Sequence, residues 1–327
     1  MSDLKINFNY ASPTIEFLKN KQEDKKSNYY NMKGFCEWLI KNKNIKKTTR
    51  PKINVPLANG EFAGIEWKDC DYDEQNDLYY FRLKKLRSNN IPAYSYTDSD
   101  SENIKLKENQ YLGEFNLIIF DPKIKKIVIQ RNSSGLSLGQ IATALTAMRL
   151  SRLKDDNIEF NDEDSGSVKL RLILDMEKVK DVKNNDIYRS YELKVADINE
   201  LKDANIDTNA IDGAINMVDE VDGLSINVKV SLGRESKEKS LKKSLIHKIM
   251  DNVLKIRNPR KVSMKLKSRK TIDDAIDEVD LLAPKLSSTI FLKNTRRSTI
   301  GAEYVYTNFL EQNYLNGMRS KAERDSA

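Results

Sequence analysis

The stretch Glu114-Phe-Asn-Leu-Ile-Ile-Phe120, the turn Asp121-Pro-Lys123 and the stretch Lys126-Ile-Val-Ile-Gln130 read together as a β-hairpin, and the helix that succeeds them decides the fold. Apolar runs of this length joined across a proline-containing turn are strands. Just downstream, Ser137-Leu-Gly-Gln140 puts a hydroxyl at a helix start and an amide three positions on. That is the capping-box pattern, which satisfies the first free N–H groups of a helix from both sides. Leu138, Ile141, Leu145 and Met148 then recur at helical spacing and give the helix one apolar face. After the polar, acidic segment Asp155–Ser167 the chain returns as a strand at Val168–Leu174.

The same grammar extends in both directions. Leu4–Tyr10 alternates with period two and predicts an opening strand. Tyr29–Asn42 places Met32, Phe35, Cys36, Leu39 and Ile40 at helical spacing, followed by the basic run Lys41–Lys52. Gly64–Asp71 and Leu78–Leu86 read as strands about an acidic turn, and Ser88–Gln110, rich in Ser, Asn and Asp, as a loop or linker. Leu224–Leu232 and Val262–Leu266 alternate as strands, and Leu241, Leu245, Ile249 and Val253 form the spine of a helix between them. Thr271-Ile-Asp-Asp274 predicts a helix start with acids placed to meet its dipole. Ser288–Lys293 is a strand and Ile300–Tyr314 a closing helix. The expectation is an α/β or α+β protein with mixed or antiparallel sheets and packed helices. Two to three structural units are expected, divided as 1–110, 111–215 and 216–327.

Charge is unevenly spread. The chain carries 56 Lys and Arg against 49 Asp and Glu, a net +7. Between Lys229 and Lys270 fifteen bases meet only three acids (Glu235, Glu238 and Asp251), a local +12 that leaves −5 for the remainder. Such segregation makes a directional field whose natural partner is a polyanion, DNA or RNA. The residues expected to meet it are Lys237, Lys239, Lys242 and Lys243 on a helix, Arg257 and Arg260 in the turn after it, and Lys265, Lys267, Arg269 and Lys270 on the next strand. No aromatic residue falls between Lys229 and Lys270, which favours backbone or duplex contact over stacking on unpaired bases. An acidic protein partner and an ordinary solvated lysine face are the competing readings.

Four smaller features accompany that block. Arg131, Asn132, Ser133 and Gly135 precede the capped helix, where free amides can hold a phosphate, although a well-capped turn explains the same residues. Asp175, Glu192 and Lys194 have the outline of a metal-dependent nuclease site, with carboxylates for Mg²⁺ and a lysine for the attacking water. Alternation, however, puts Glu192 and Lys194 in solvent in any case. Arg296, Arg297, Tyr304, Tyr306 and Tyr314 are the residue types that dominate protein interfaces, and predict a partner or homo-oligomer contact near the closing helix. The acids Asp273, Asp274, Asp277, Glu278 and Asp280 could bind a cation, but N-terminal helix charge accounts for most of the cluster.

Cys36, Cys70 and the lone His247 cannot build a zinc site or a disulfide framework unaided. No cofactor is expected, Mg²⁺ belonging only to the nuclease alternative. The polar N-terminus is not a signal peptide, no apolar run reaches membrane-spanning length, and a cytoplasmic location is expected.

Two stretches carry a likeness to known sequences: Tyr111-Leu-Gly-Glu-Phe115 through Ile127-Val-Ile-Gln-Arg-Asn-Ser-Ser-Gly-Leu136, and Glu278-Val-Asp-Leu-Leu282 with the strand and tyrosine-rich helix after it. Together they resemble a poorly characterised bacterial family of unknown function found around prophages and phage-defence loci. The resemblance implies a role in phage–host conflict and supplies no active-site residues. The expected function is non-catalytic nucleic-acid binding in such a system, with a metal-dependent nuclease and a docking subunit or inhibitor as alternatives.

Overall fold

A computed structural model describes residues 3–17, 29–89, 91–95, 97–158, 166–196, 213, 216–218, 220, 223–256, 262–293 and 299–326. The chain divides into two compact units, Met1–Ile173 with Ser287–Ala327, and Leu174–Leu286. These are not the divisions expected at residues 110 and 215. The strand after Gln110 pairs along its length with one before it, so a single sheet crosses that boundary.

The first unit holds β1 (Leu4–Glu16), β2 (Val55–Pro56), β3 (Phe62–Asp73) and β4 (Leu78–Arg87). The two-residue strands β5 (Ala93–Tyr94) and β6 (Glu102–Asn103) pair within the expected loop. β7 (Leu112–Asp121), β8 (Lys126–Gln130), β9 (Ser167–Leu172) and β14 (Ser287–Leu292) complete the unit. Its main sheet runs β14-β1-β8-β7-β4-β3-β2, with β9 also paired to β1, and every pairing is antiparallel. β1 outruns its expected end at Tyr10 because it serves three partners in turn. Leu4–Asn9 pair with β14, Phe8–Ala11 with β8 and Ala11–Glu16 with β9.

Alternation sends the two halves of each strand to different layers. Phe81, Leu83, Ile118 and Phe120 meet α1 (Lys33–Lys43) and α2 (Leu138–Asp155), whose Phe35, Trp38, Leu39, Ile141, Leu145 and Met148 are buried. The capping box at Ser137 and Gln140 forms as read from the sequence. Aromatic pairs mark the opposite layer: Phe8 lies 4.4 Å from Phe309, and Tyr80 stacks on Tyr306 at 4.3 Å. The closing element is not the single helix expected over Ile300–Tyr314. α5 (Ala302–Phe309) opens into wide turns over Leu310–Met318, then turns sharply where Gly317 takes φ 109°, and resumes as α6 (Arg319–Arg324). The positive φ suits a residue without Cβ. The break returns Arg319 to Asp121 at the end of β7.

β14 ends the sheet and would leave an unpaired edge. The amide of Gln312 fills the gap, accepting from Phe291 N–H at 3.0 Å and donating to Phe291 C=O at 3.1 Å. Asn313 donates to Thr289 C=O at 2.7 Å. Side chains here stand in for another strand.

Both cysteines are buried in the first core and free. Burial pushes the Cys70 thiol up to about 12 and Cys36 well above its ordinary value. Because the thiolate is the reactive form, a thiol-specific disulfide reagent at pH 8 should label neither cysteine in the native protein and both in urea. Rapid native labelling would contradict this burial.

The second unit is smaller. α3 (Met176–Lys183), β10 (Ile187–Val195), β11 (Ile226–Ser231), α4 (Lys243–Leu254), β12 (Val262–Arg269) and β13 (Asp277–Asp280) make an antiparallel sheet in the order β11-β10-β12-β13 with two helices. Tyr191, Leu193, Met264 and Leu266 pack against Val179, Val182, Ile246, Ile249, Met250 and Val253. The helix spine is Ile246, Ile249, Met250 and Val253, and Leu245 is 38% exposed instead of lining the core. No helix starts at Thr271. Its N–H and hydroxyl both donate to Asp274 Oδ2 at 2.8 Å, closing a turn, and Asp277–Asp280 continues as a strand on β12. The architecture is therefore α+β with antiparallel sheets. Among the described residues no helix is long and apolar enough to cross a membrane.

Candidate nucleic-acid interface

Lys237, Lys239 and Lys242 do not lie on the helix. They occupy the loop between β11 and α4, whose first residue is Lys243. That loop is built on a β-bulge. Tyr188 pairs with Ser268 and Ser190 with Lys267, so Arg189 is the extra residue of β10 and its side chain is re-aimed. The Arg189 guanidinium collects the loop carbonyls, donating to Ser236 at 2.6 Å, Glu235 at 2.9 Å, Lys239 at 3.0 Å and Gly233 at 3.5 Å. Tyr188 C=O receives Leu241 N–H at 2.8 Å, and Ser240 Oγ accepts from Tyr188 N–H at 2.9 Å.

Arg269 does similar work and is not a surface contact. It is 5% exposed, donates to Ile272 C=O at 2.6 Å and also bonds Lys237 C=O. With the carbonyls drawn inward, Arg234, Lys237, Lys239 and Lys242 stand exposed, as does Lys270 beside Arg269. Lys239 also pairs with Glu235 at 2.9 Å, and the half-buried Lys243 pairs with Asp186 at 2.9 Å.

Lys265 and Lys267 belong to a different environment. They project from the open face of β12, where Glu278 of β13 lies 3.7 and 3.3 Å away. The same face carries Glu192, paired with Lys194 at 2.8 Å. The bond to Lys194 holds the Glu192 carboxyl below its usual range. Glu278, just beyond the +12 window, thus offsets part of the charge on the strand portion of the basic block, and the loop retains its excess. Arg257 and Arg260 lie outside the described residues.

The nuclease constellation does not assemble. Asp175 is 7% exposed and leads into α3 on the packed face, whereas Glu192 and Lys194 point from the opposite face of β10. Among the described residues no group of three or more His, Cys, Asp or Glu is arranged to hold a metal ion. His247 is half-buried, with Nε2 at 3.1 Å from the Tyr188 hydroxyl and its ring edge-on to that tyrosine.

At the head of α2 the amides are already engaged. Asn132 Oδ1 accepts from Ser134 N–H, Asn116 Oδ1 from Leu136 N–H, and Gln140 Oε1 from Ser137 N–H. Asn132 Nδ2 donates to Glu114 and to Phe115 C=O. Arg131 uses its N–H on Asn7 C=O, and Gly135 its own on Asn132 C=O. These bonds, with Ser133 beside them, make a capped turn and leave little for a phosphate. At the closing segment Tyr306 and Tyr314 are core residues, bonded to Asp73 and Asp121 at 2.8 and 2.7 Å. Tyr304 alone of the three is exposed, and Arg296 and Arg297 lie outside the described residues.

Arg189 was missed from sequence. The signal lies in Ile187-Tyr-Arg-Ser-Tyr191: buried tyrosines three apart break a period of two, as a bulge does.

The fold and this loop define a two-unit α+β protein with a basic loop clamped by two arginines. The chain belongs to DUF6731, a family of unknown function whose model matches residues 1–322. No curated protein matches it.

Proposed function

We propose that this protein binds the sugar–phosphate backbone of nucleic acid, duplex by preference, without catalysing a reaction on it. The observation that supports this reading is the loop ordered by Arg189 and Arg269, which holds Arg234, Lys237, Lys239 and Lys242 outward from a fixed backbone. Fixing those cations before contact removes part of the ordering cost of binding. The absence of aromatics from Lys229 to Lys270 fits contact to phosphates and not to unstacked bases. The sequence resemblance extends the reading to a binding role in a phage–host conflict system.

Fluorescence anisotropy with a labelled DNA duplex tests it. Affinity should fall with salt at a log–log slope of roughly −0.9 per phosphate contact. Lys237→Glu/Lys239→Glu/Lys242→Glu should abolish binding at physiological salt with the circular dichroism spectrum intact. Lys265→Glu/Lys267→Glu should have the smaller effect, because Glu278 already screens those lysines. Unchanged affinity in the loop variant would sink the reading.

A further inference from the structure

The first unit holds a second cationic feature, which is a cavity and not a surface. In the pairing of β3 with β4, Glu66 faces Arg82 and Asp71 faces Tyr80, so five steps on β3 answer two on β4. Trp67–Cys70 therefore bow out of the ladder. Beneath the bow lies a half-open cavity of about 160 Å³, lined by Lys68, Asp69, Arg82, Phe115 and Thr299–Gly301.

Arg82 is 5% exposed on a central strand, an unusual place for a cation. Its Nη2 donates to Ile300 C=O at 2.6 Å, Nη1 reaches Asp69 Oδ2 at a long 3.4 Å, and its plane lies over Phe115 at 5.5 Å. Arginine has five N–H donors. These contacts use two of them, and Nε is buried with no partner among the described residues. Burial works against the guanidinium charge, and the carboxylates of Asp69 and, less strongly, Glu66 work for it.

A third element converges on the same space. Gly301 is the N-cap of α5, and glycine offers no side chain to the free N–H groups of the first turn. Those amides, with the positive end of the helix, favour an anion. Lys68 from the bow adds a second full charge.

We propose that this cavity is a binding site for a phosphate group, free or carried by a small monoester, held by Arg82, Lys68 and the first turn of α5. The volume admits one tetrahedral oxyanion, and the open side leaves room for an ester substituent. Arginine and helix amides together suit phosphate oxygens, which accept several hydrogen bonds at once.

The site is tested on the full chain by calorimetry and thermal denaturation with inorganic phosphate, with glycerol 3-phosphate, and with sodium chloride at matched ionic strength. Phosphate at about 10 mM should raise Tm by a few degrees and chloride should not, since only a ligand of the native state stabilises it. Tighter binding of glycerol 3-phosphate assigns the site to esters; equal or tighter binding of phosphate assigns it to the free anion. Arg82 is buried, so its replacement risks the fold. Gly301→Asp avoids that risk: φ is −61° and an added Cβ meets nothing within 4 Å. Aspartate there caps the helix with its own carboxylate, so the variant should be as stable as the parent or more so, yet bind phosphate at least about tenfold more weakly. The Lys237→Glu/Lys239→Glu/Lys242→Glu variant should keep the full phosphate response. No phosphate effect beyond chloride, an undiminished response in Gly301→Asp, or loss of the response in the triple variant would each overturn the assignment.

Discussion

Replacing Asp121 by Asn is expected to destabilise the protein by about 3–5 kcal/mol, the range for removing one partner of a buried ion pair. Asp121 is fully buried at the end of β7. Its Oδ2 accepts from the Tyr314 hydroxyl at 2.7 Å and lies 2.6 Å from Arg319 Nε, and its Oδ1 accepts from Arg319 Nη2 at 2.8 Å. Oδ1 also receives the N–H groups of Lys123 at 2.9 Å and Ile124 at 3.3 Å. One carboxylate thus fixes the β7–β8 turn and fastens the C-terminal segment. Asparagine keeps the shape but not the charge, and turns an NH₂ toward donors that need an acceptor. Urea denaturation of the variant should show an earlier midpoint. A shift below about 1 kcal/mol would mean that the cluster relaxes around water.

The second large effect is expected at Asn116, which is 1% exposed. Its Nδ2 donates to Gln130 C=O at 3.0 Å and its Oδ1 accepts from Leu136 N–H at 2.7 Å. Asn116→Ala removes the partners of two backbone groups, one at the end of β8 and one just before α2, each worth about 1–3 kcal/mol when buried and left unpaired. A total loss of about 3 kcal/mol is expected, read as a lower urea midpoint with unchanged slope. Gly135→Ala should reproduce part of the loss, because its Cβ would stand 2.6 Å from Asn116 Oδ1. If Asn116→Ala costs no more than a surface substitution, about 0.5 kcal/mol, the amide is not the anchor of that turn.

Gly135 shows how far a sequence carries. Glycine before a capped helix fits a phosphate loop and a close approach of backbone to a side chain equally well, and only the location of Asn116 decides between them. Local patterns were legible because their causes are local: the Ser137 box, the apolar run of β7, the alternation in β12 and the apolar stripe of α2 all formed where read. Tyr306 and Tyr314 were misjudged as surface anchors because composition does not record which layer a helix covers. α3 escaped notice because eight residues with Val179 and Val182 as their buried pair make too short a stripe. The basic block was legible as charge but not as geometry. Sequence windows place Glu278 outside the block, while β13 brings it against Lys265 and Lys267. Arg269 looked like one more surface cation until its carbonyl partners were known.

The pairing of β1 with β14 sets an order on how the molecule is made. Leu4 finds its partner at Leu292, so β1 cannot complete its pairing until translation has passed β14. The unit spanning Leu174–Leu286 has all its strands in one continuous stretch and can close while the earlier one is still waiting. Loop closure over so long a separation is slow, and an unfinished sheet is prone to capture by other chains. The Leu4–Asn9 part of β1 therefore waits while the whole of Leu174–Leu286 is made, and Gln312, the residue that seals β14, arrives only after β14 itself.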